Sequence, residues 1–251
     1  MDAEGLSPSR IRQAHQVLRA SLDQAVSDNA LGRNPAAGVR LPKSPPRDML
    51  KLNPNQIHRL AASASEHQPG AGTLLTFLAY AGLRWGKAVA LRVNAVDPLW
   101  HRIHVTESAT EVGGRLVFGK PKNHRNRVVV VPRSVMDQIA AHIAQFSSVD
   151  GLVFTSPNGH PLRSTNFRRS VWTPAVSELI DTDPHLAGLR IHDLRHTAAS
   201  LAISCGANIK VIQRMLGHKD ASMTLDVYGD LYTEDLEALA DRLEERFRGA
   251  A

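Results

Sequence analysis

The chain of 251 residues contains a single cysteine and no long apolar run, and each of these scarcities excludes a class of protein. Because Cys205 is alone, the chain can form neither an intramolecular disulfide nor a zinc site built from several thiolates. No segment approaches the roughly 18 apolar residues that a membrane-spanning helix needs, and residues 1–10 lack the apolar core of a signal peptide. We therefore expect a cytoplasmic protein with no membrane partner.

Internal repeats and low-complexity tracts are also lacking. The composition is 43% hydrophobic and 22% charged, which is typical of a folded globular protein and excludes disorder over most of the chain. A chain of this length can bury a core without disulfides or metals.

Acidic residues are missing from residues 115–135, which carry six lysines and arginines. Residues 229–251 have the opposite balance, with seven acidic and three basic residues, so the body of the chain is strongly basic within a formal net charge of +6. Such a basic run indicates either contact with a polyanion or a solvated face. The composition therefore suggests a nucleic-acid partner without establishing one.

Apolar residues at helical spacing predict an amphipathic helix over residues 9–30, with Ser9 as its N-terminal cap. The proline-rich segment that follows predicts an extended linker, and one helix of this length cannot be a stable domain by itself. We therefore divide the chain into residues 1–41, a linker at 42–51 and a main domain at 52–251. The first part is interpreted as the end of a domain whose beginning is missing.

The main domain is predicted to be mainly α-helical with a small antiparallel β-sheet, an α+β fold. Short β-branched segments at 103–106, 115–118 and 127–131 predict two or three strands. Helical patterns lie at 53–64, 72–81, 135–146, 164–180, 192–205, 209–216 and 233–247.

Two arginines are candidates for binding an anion. His192 and Arg195 are three residues apart at the start of a predicted helix, so both can point at one anionic group, although an isolated pair of this kind often only caps its helix. Arg84 follows a glycine-terminated apolar helix and is flanked by Leu83 and Trp85. Its guanidinium is expected either in a buried ion pair or, together with Arg195, around a phosphate.

A second pair of candidates lies further along the chain. His218 follows the helix-ending Gly217, and Tyr228 lies ten residues later. A tyrosine with its ordinary pKa of roughly 10 is a poor nucleophile at neutral pH. Cationic neighbours and a proton acceptor would activate it, and the two arginines with His192 and His218 would supply both.

These three motifs, AGLRWG at 81–86, HDLRHTAAS at 192–200 and MLGHKDASMTLDVY at 215–228, together resemble the catalytic domain of the tyrosine recombinases, the phage-type integrases and Xer-like enzymes. The resemblance covers about residues 52–232. It implies a site-specific DNA recombinase, and it implies that residues 1–41 are the C-terminal remnant of a helical core-binding domain. The C-terminal helix would pack on its own domain or, as we prefer, on a neighbouring protomer.

The resemblance also implies a role for each matching residue. Tyr228 would attack the scissile phosphodiester and form a 3′-phosphotyrosyl intermediate, while Arg84 and Arg195 hold the non-bridging oxygens. His192 would accept or orient the proton of the nucleophile, and His218 would donate a hydrogen bond to the phosphate.

The family also uses a lysine in a β-hairpin as the proton donor to the leaving oxygen. Lys122 fits best because Arg127 and a valine-rich strand follow it, and Lys120 is the second choice. We expect no cofactor and no metal, because one phosphoester replaces another and the remaining histidines lack a metal-ligand spacing. His196 is expected either to have a structural role or to contact one of the residues of the site.

One position departs from the family pattern. Lys87 stands where the family usually has glutamate, so a favourable acid neighbour of Arg84 becomes a like-charge pair, unless Lys87 extends into solvent. The alternatives that remain are a catalytically impaired prophage remnant that only binds DNA and a type IB topoisomerase-like enzyme. The expected partners are double-stranded DNA, further copies of the chain in a tetramer and accessory DNA-bending proteins.

Overall fold

The computed structural model describes residues 5–43, 49–119, 127–146, 150–232 and 235–249. The chain divides into two compact units, Met1–Asp48 and Met49–Ala251. Their boundary falls inside the segment that the sequence predicts to be a linker.

The first unit contains helix α1, Pro8–Ser27. The predicted cap at Ser9 is wrong: Ser7 occupies this position and accepts a hydrogen bond from the Arg10 amide, because Pro8 is well suited to the first helical turn. The chain after the helix folds back on it, and His15 Nε2 lies 3.0 Å from the Ala36 carbonyl oxygen.

The second unit is mainly helical. Its helices are α2 (Pro54–His67), α3 (Ala71–Ala81), α4 (Trp85–Ala88), α5 (Arg133–Gln145), α6 (Ser164–Phe167), α7 (Thr173–Thr182), α8 (Asp193–Ser204), α9 (Ile209–Leu216), α10 (Ser222–Tyr228) and α11 (Asp235–Arg248). The single helix predicted at 164–180 is interrupted by a π-helical turn, Arg168–Trp172. Among the described residues, no helix is both long and apolar enough to cross a bilayer.

Two small antiparallel sheets complete the unit. Strands β1 (Val96–Asp97), β2 (Arg102–Val105) and β5 (Arg127–Val130) form one sheet in the order β1-β2-β5, and β3 (Ser108–Val112) pairs with β4 (Arg115–Gly119) in a hairpin. Gly113 and Gly114 turn this hairpin with positive φ angles of 56° and 73°, which glycine adopts without strain. The predicted fold class, mainly helical with a small antiparallel sheet, is confirmed.

The main core surrounds α3, which packs against both α2 and α8. Phe77 of α3 is fully buried and stacks on Phe154 with ring centroids 5.8 Å apart. A second, smaller cluster joins α8, α9 and α10, and consists of Ala199, Ile203, Ile212, Leu216 and Tyr228. Because the two cores share α8, the residues at its N-terminal end are held against α3 on one side and near α10 on the other.

Gly86 in α4 sets how closely this short helix approaches the hairpin. A β-carbon at position 86 would collide with the carbonyl oxygen of Ala109 in β3. We expect Gly86→Ala to lower the free energy of unfolding by about 1–3 kcal/mol, the usual cost of overpacking. Urea denaturation measures it, and Gly119→Ala is the matched control because a β-carbon there meets nothing within 4 Å. Equal stabilities of the two variants would contradict this account of the packing.

Candidate active site

Arg195 links two of the sequence motifs. It lies in the first turn of α8, is only 3% exposed, and its Nη1 donates a hydrogen bond of 2.5 Å to the Gly82 carbonyl oxygen. Gly82 ends α3 in the left-handed conformation, with φ of 62°. The carbonyl group at this helix end therefore fixes one side of the guanidinium, whose Nη2 is buried without a partner among the described residues.

Arg84 lies two residues after Gly82, at the N-cap position of α4. Its backbone oxygen accepts the Lys87 amide at 2.9 Å, and its side chain is exposed. The described part of the chain places no carboxylate within salt-bridge distance of Arg84, so the buried ion pair considered from the sequence is not formed there. The guanidinium instead lies near Arg195, whose pKa is lowered mainly by desolvation and then by the charge of Arg84.

Both predicted histidines lie beside these arginines. His192 immediately precedes α8, and its pKa is lowered by desolvation and then by Arg195 and Arg84. His218 follows α9, and desolvation, with the charges of Arg195 and Arg84, lowers its pKa to about 4. Its Nδ1 lies 2.9 Å from the Thr224 hydroxyl oxygen, which is buried in α10. Both imidazoles are therefore neutral at physiological pH.

Lys87 belongs to the same cluster of positive charge. It is half-buried, and its pKa is lowered to about 8 by desolvation, followed by Arg127, Arg84 and Arg195. Lys87 is therefore not carried fully into solvent, and the like-charge neighbourhood that the sequence indicates is present. Arg127, which served in the sequence analysis only to locate the hairpin of Lys122, is also part of the cluster.

Tyr228 lies in the small second core and is 2% exposed. Burial raises its pKa to about 12, although the charge of Arg195 opposes this shift. Desolvation therefore outweighs the field of Arg195 at this phenol, and activation of Tyr228 by its cationic neighbours stays a prediction. The phenol oxygen is 2.8 Å from Nδ1 of His196. This hydrogen bond gives the buried hydroxyl group a partner.

His196 contacts a residue of the site, which is the second of the two roles expected for it. Its spacing from His192 is one helical turn, so both rings share one side of α8, with centroids 5.3 Å apart. That spacing is visible in the sequence, but the contact with Tyr228, 32 residues away, depends on how α10 packs against α8.

Lys122 and Lys120 lie outside the described residues. Over the ranges that are described, no group of three or more histidine, cysteine, aspartate or glutamate side chains could hold a metal ion.

The arrangement can bind an anion and supplies a nucleophile beside it. Two arginines and two histidines among the predicted residues form one cluster of interacting groups, and the neighbouring Lys87 and Arg127 add to its positive charge. Guanidinium groups match the oxygen geometry of a phosphate, and the phenol of Tyr228 is within the electrostatic range of Arg195.

Comparison with known proteins places this site in a family. The model described as "Phage integrase family" matches residues 51–235. The integrase of Mycobacterium phage L5 is 29% identical over 95% of the chain, and that of Mycobacterium phage FRAT1 is 30% identical over 95%. The chain spans 63% of the L5 integrase and 70% of the FRAT1 integrase.

A solved structure shares the fold. The Tn1549 transposon integrase, determined in complex with a circular intermediate DNA, superposes with a TM-score of 0.81. It is 20% identical, and the match covers 96% of this chain and 82% of that one.

The charge at position 87 should limit the stability of the protein without DNA. Lys87→Glu replaces a repulsive neighbour of three arginines by an attractive one, so we expect the melting temperature to rise by roughly 2–4 °C, the shift that about 1 kcal/mol causes at this size. Lys87→Gln, which only removes the charge, should give a smaller rise. Scanning calorimetry measures both, and a lower melting temperature for Lys87→Glu would show that the repulsion is unimportant.

The depressed pKa of His218 should make the fold sensitive to acid. The unfolded chain binds a proton at this residue near pH 6.5, whereas the folded chain does so only near pH 4. Stability that is present above pH 6.5 is therefore lost as the pH falls toward 4. We expect His218→Gln to lose less stability than the parent over this range, measured by urea denaturation at each pH. The exposed His160→Gln serves as the control and should follow the parent.

Proposed function

We propose, because the chain belongs to the phage integrase family of tyrosine recombinases, that it is a site-specific DNA recombinase acting on double-stranded DNA in the cytoplasm. One observation carries the proposal: the charges of Arg84 and Arg195 act on both His192 and His218, and that of Arg195 acts on Tyr228, so residues from all three motifs form one cluster. Phosphate is the anion of DNA that such a cluster would bind.

In the proposed reaction, the phenol oxygen of Tyr228 attacks the scissile phosphorus and loses its proton. A 3′-phosphotyrosyl bond forms while the bond from phosphorus to the 5′-oxygen breaks, and the leaving oxygen takes up a proton to become a 5′-hydroxyl. The 5′-hydroxyl of another strand then attacks the phosphotyrosine and releases Tyr228. Since the number of phosphoester bonds is unchanged, the exchange needs no external energy source.

The arginines would stabilise the charge that grows on the non-bridging oxygens. Arg195 is suited to this role because Gly82 holds one end of its guanidinium while Nη2 remains without a partner in the described structure. Arg84 would approach from the exposed side of the cluster. Loss of one such preorganised donor typically lowers the rate of the chemical step by about 10²–10³-fold.

The histidines would act in their neutral forms. If the Thr224 hydroxyl donates to Nδ1 of His218, then Nε2 carries the hydrogen and can donate to a phosphate oxygen. His192 would accept or orient the proton of the phenol. Lys122, or Lys120 as the second choice, would protonate the leaving 5′-oxygen.

The nucleophile would have to change its environment before attack. Its phenol is buried and bonded to His196 in the protein without DNA, and its raised pKa keeps it protonated. We infer that binding of DNA shifts α10 so that the phenol reaches the phosphate. The hydrogen bond to His196 would keep the nucleophile inactive until then.

Several wider features belong to the same proposal. Residues 1–41 would contribute the end of a core-binding domain, and residues 42–51 would link it to the catalytic domain at 52–251. Exchange between two duplexes requires one cleavage in each of their strands, so the chain would act as a tetramer on DNA. Accessory DNA-bending proteins would assemble the sites.

A nicked duplex that traps the covalent intermediate tests the chemistry. The nick lets the short strand carrying the 5′-hydroxyl diffuse away, so the phosphotyrosyl adduct accumulates and is seen as a shifted band on a denaturing gel. Tyr228→Phe should abolish the band, because phenylalanine has no nucleophilic oxygen, whereas Tyr80→Phe should retain it.

A second readout of the same experiment separates the related activities. Two intact duplexes with the target sequence should yield a four-way junction if the protein is a recombinase. An adduct without any junction would indicate a topoisomerase-like enzyme instead. DNA binding without an adduct would indicate an inactive remnant.

A further inference from the structure

Arg127 carries a buried guanidinium to which the proposed reaction assigns no role. Its Nε, Nη1 and Nη2 are all buried and have no hydrogen-bond partner in the part of the chain that the structure describes. A guanidinium has five N–H donors, and burying it without a partner is costly. A group that binds these donors must therefore come from outside the described protein.

The backbone holds Arg127 in a defined place. It begins β5, and its position opposite Val105 of β2 is fixed by the antiparallel register. Its guanidinium lies against Gly217, immediately before His218: a β-carbon at position 217 would occupy the place of Nη1. The lack of a side chain at Gly217 therefore leaves the space that the guanidinium of Arg127 occupies beside the end of α9.

The charge around Arg127 is of one sign. The pKa of Arg127 is lowered mainly by desolvation and then by the charge of Arg84. The charge of Arg127 in turn contributes to the lowered pKa of Lys87, Arg195 and His218. Within the described ranges, none of the charges that act on Arg127 is a carboxylate. An anion that neutralises Arg127 would therefore come from outside these ranges, and Arg84 and Arg195, whose charges interact with that of Arg127, would share it.

We propose that Arg127 is a third guanidinium that contacts the scissile phosphate, beside Arg84 and Arg195, and that Gly217 provides the space for this contact. The inference rests on the proposed function, since it assigns this residue to the DNA phosphate of the recombination reaction. Its role is electrostatic: Arg127 donates hydrogen bonds to a non-bridging oxygen and transfers no proton. The alternative is that Arg127 only packs between β5 and the end of α9.

The charge of the scissile group distinguishes these two roles. We compare nicked substrates that carry either the natural phosphate or a methylphosphonate, in which a methyl group replaces one non-bridging oxygen and removes the negative charge. Arg127→Met should slow adduct formation on the phosphate by about 10²-fold or more, the usual effect of losing one preorganised donor. On the methylphosphonate the defect should shrink to a few-fold, because there is less charge to neutralise.

Two further variants complete the experiment. Arg133→Met removes an exposed arginine six residues away and should cleave both substrates at the parental rate. Arg127→Lys keeps the charge without the forked geometry, so its defect should lie between those of the parent and Arg127→Met. It also provides a folded variant if the methionine variant does not fold. An equal defect on both substrates, or no defect on either, would overturn the proposal.

Binding of inorganic phosphate gives a readout that does not need cleavage. Phosphate should raise the melting temperature of the parent and of Arg133→Met, and this rise should be largely lost in Arg127→Met and reduced in Arg127→Lys. If the parent forms no adduct, the proposed function fails, and the phosphate shift alone decides whether Arg127 binds an anion. An unchanged shift in both Arg127 variants would exclude Arg127 from the anion site.

Discussion

Positive charge is concentrated in one cluster that the described residues do not neutralise, and this is the main constraint on the structure. Desolvation, and then the charges of neighbouring arginines, lower the pKa of Lys87, Arg127 and Arg195, and the two arginines have buried nitrogen atoms without partners among the described residues. Such a cluster is unfavourable in the free protein, and packing of the surrounding elements must offset its cost. The same cluster is prepared for a phosphate, because little reorganisation is needed when the anion arrives.

The second constraint is the burial of the nucleophile. Tyr228 belongs to the small core of α8, α9 and α10, so its phenol is kept neutral and bonded to His196. A phenol that is both protonated and hidden cannot attack water-exposed phosphates indiscriminately. The cluster of positive charge and the nucleophile Tyr228 are therefore both present in the folded protein. In the proposed reaction, the phenol meets a phosphate held by this cluster only after DNA binds.

Most of the fold could be predicted from residue patterns. Helix α9 was predicted with its observed bounds, because Asn208 caps its start and Gly217 ends it in the left-handed conformation. The patterns failed where elements are short or depend on distant partners. Strand β1 has two residues and α4 has four, so neither has enough residues to show a period, and π-helical residues 168–172 interrupt a helix without any change in the apolar pattern.

The amino-acid sequence carries three motifs in a defined order, an excess of positive charge and a lysine at position 87. These features sufficed to indicate the family and to select candidate residues for the site. The protonation state and burial of those residues depend on the folded structure. The hydrogen bond between Tyr228 and His196 and the approach of Arg127 to Gly217 each join residues that lie 32 or more positions apart in the chain. Desolvation depends on everything packed around a group, and a sequence pattern does not contain that information.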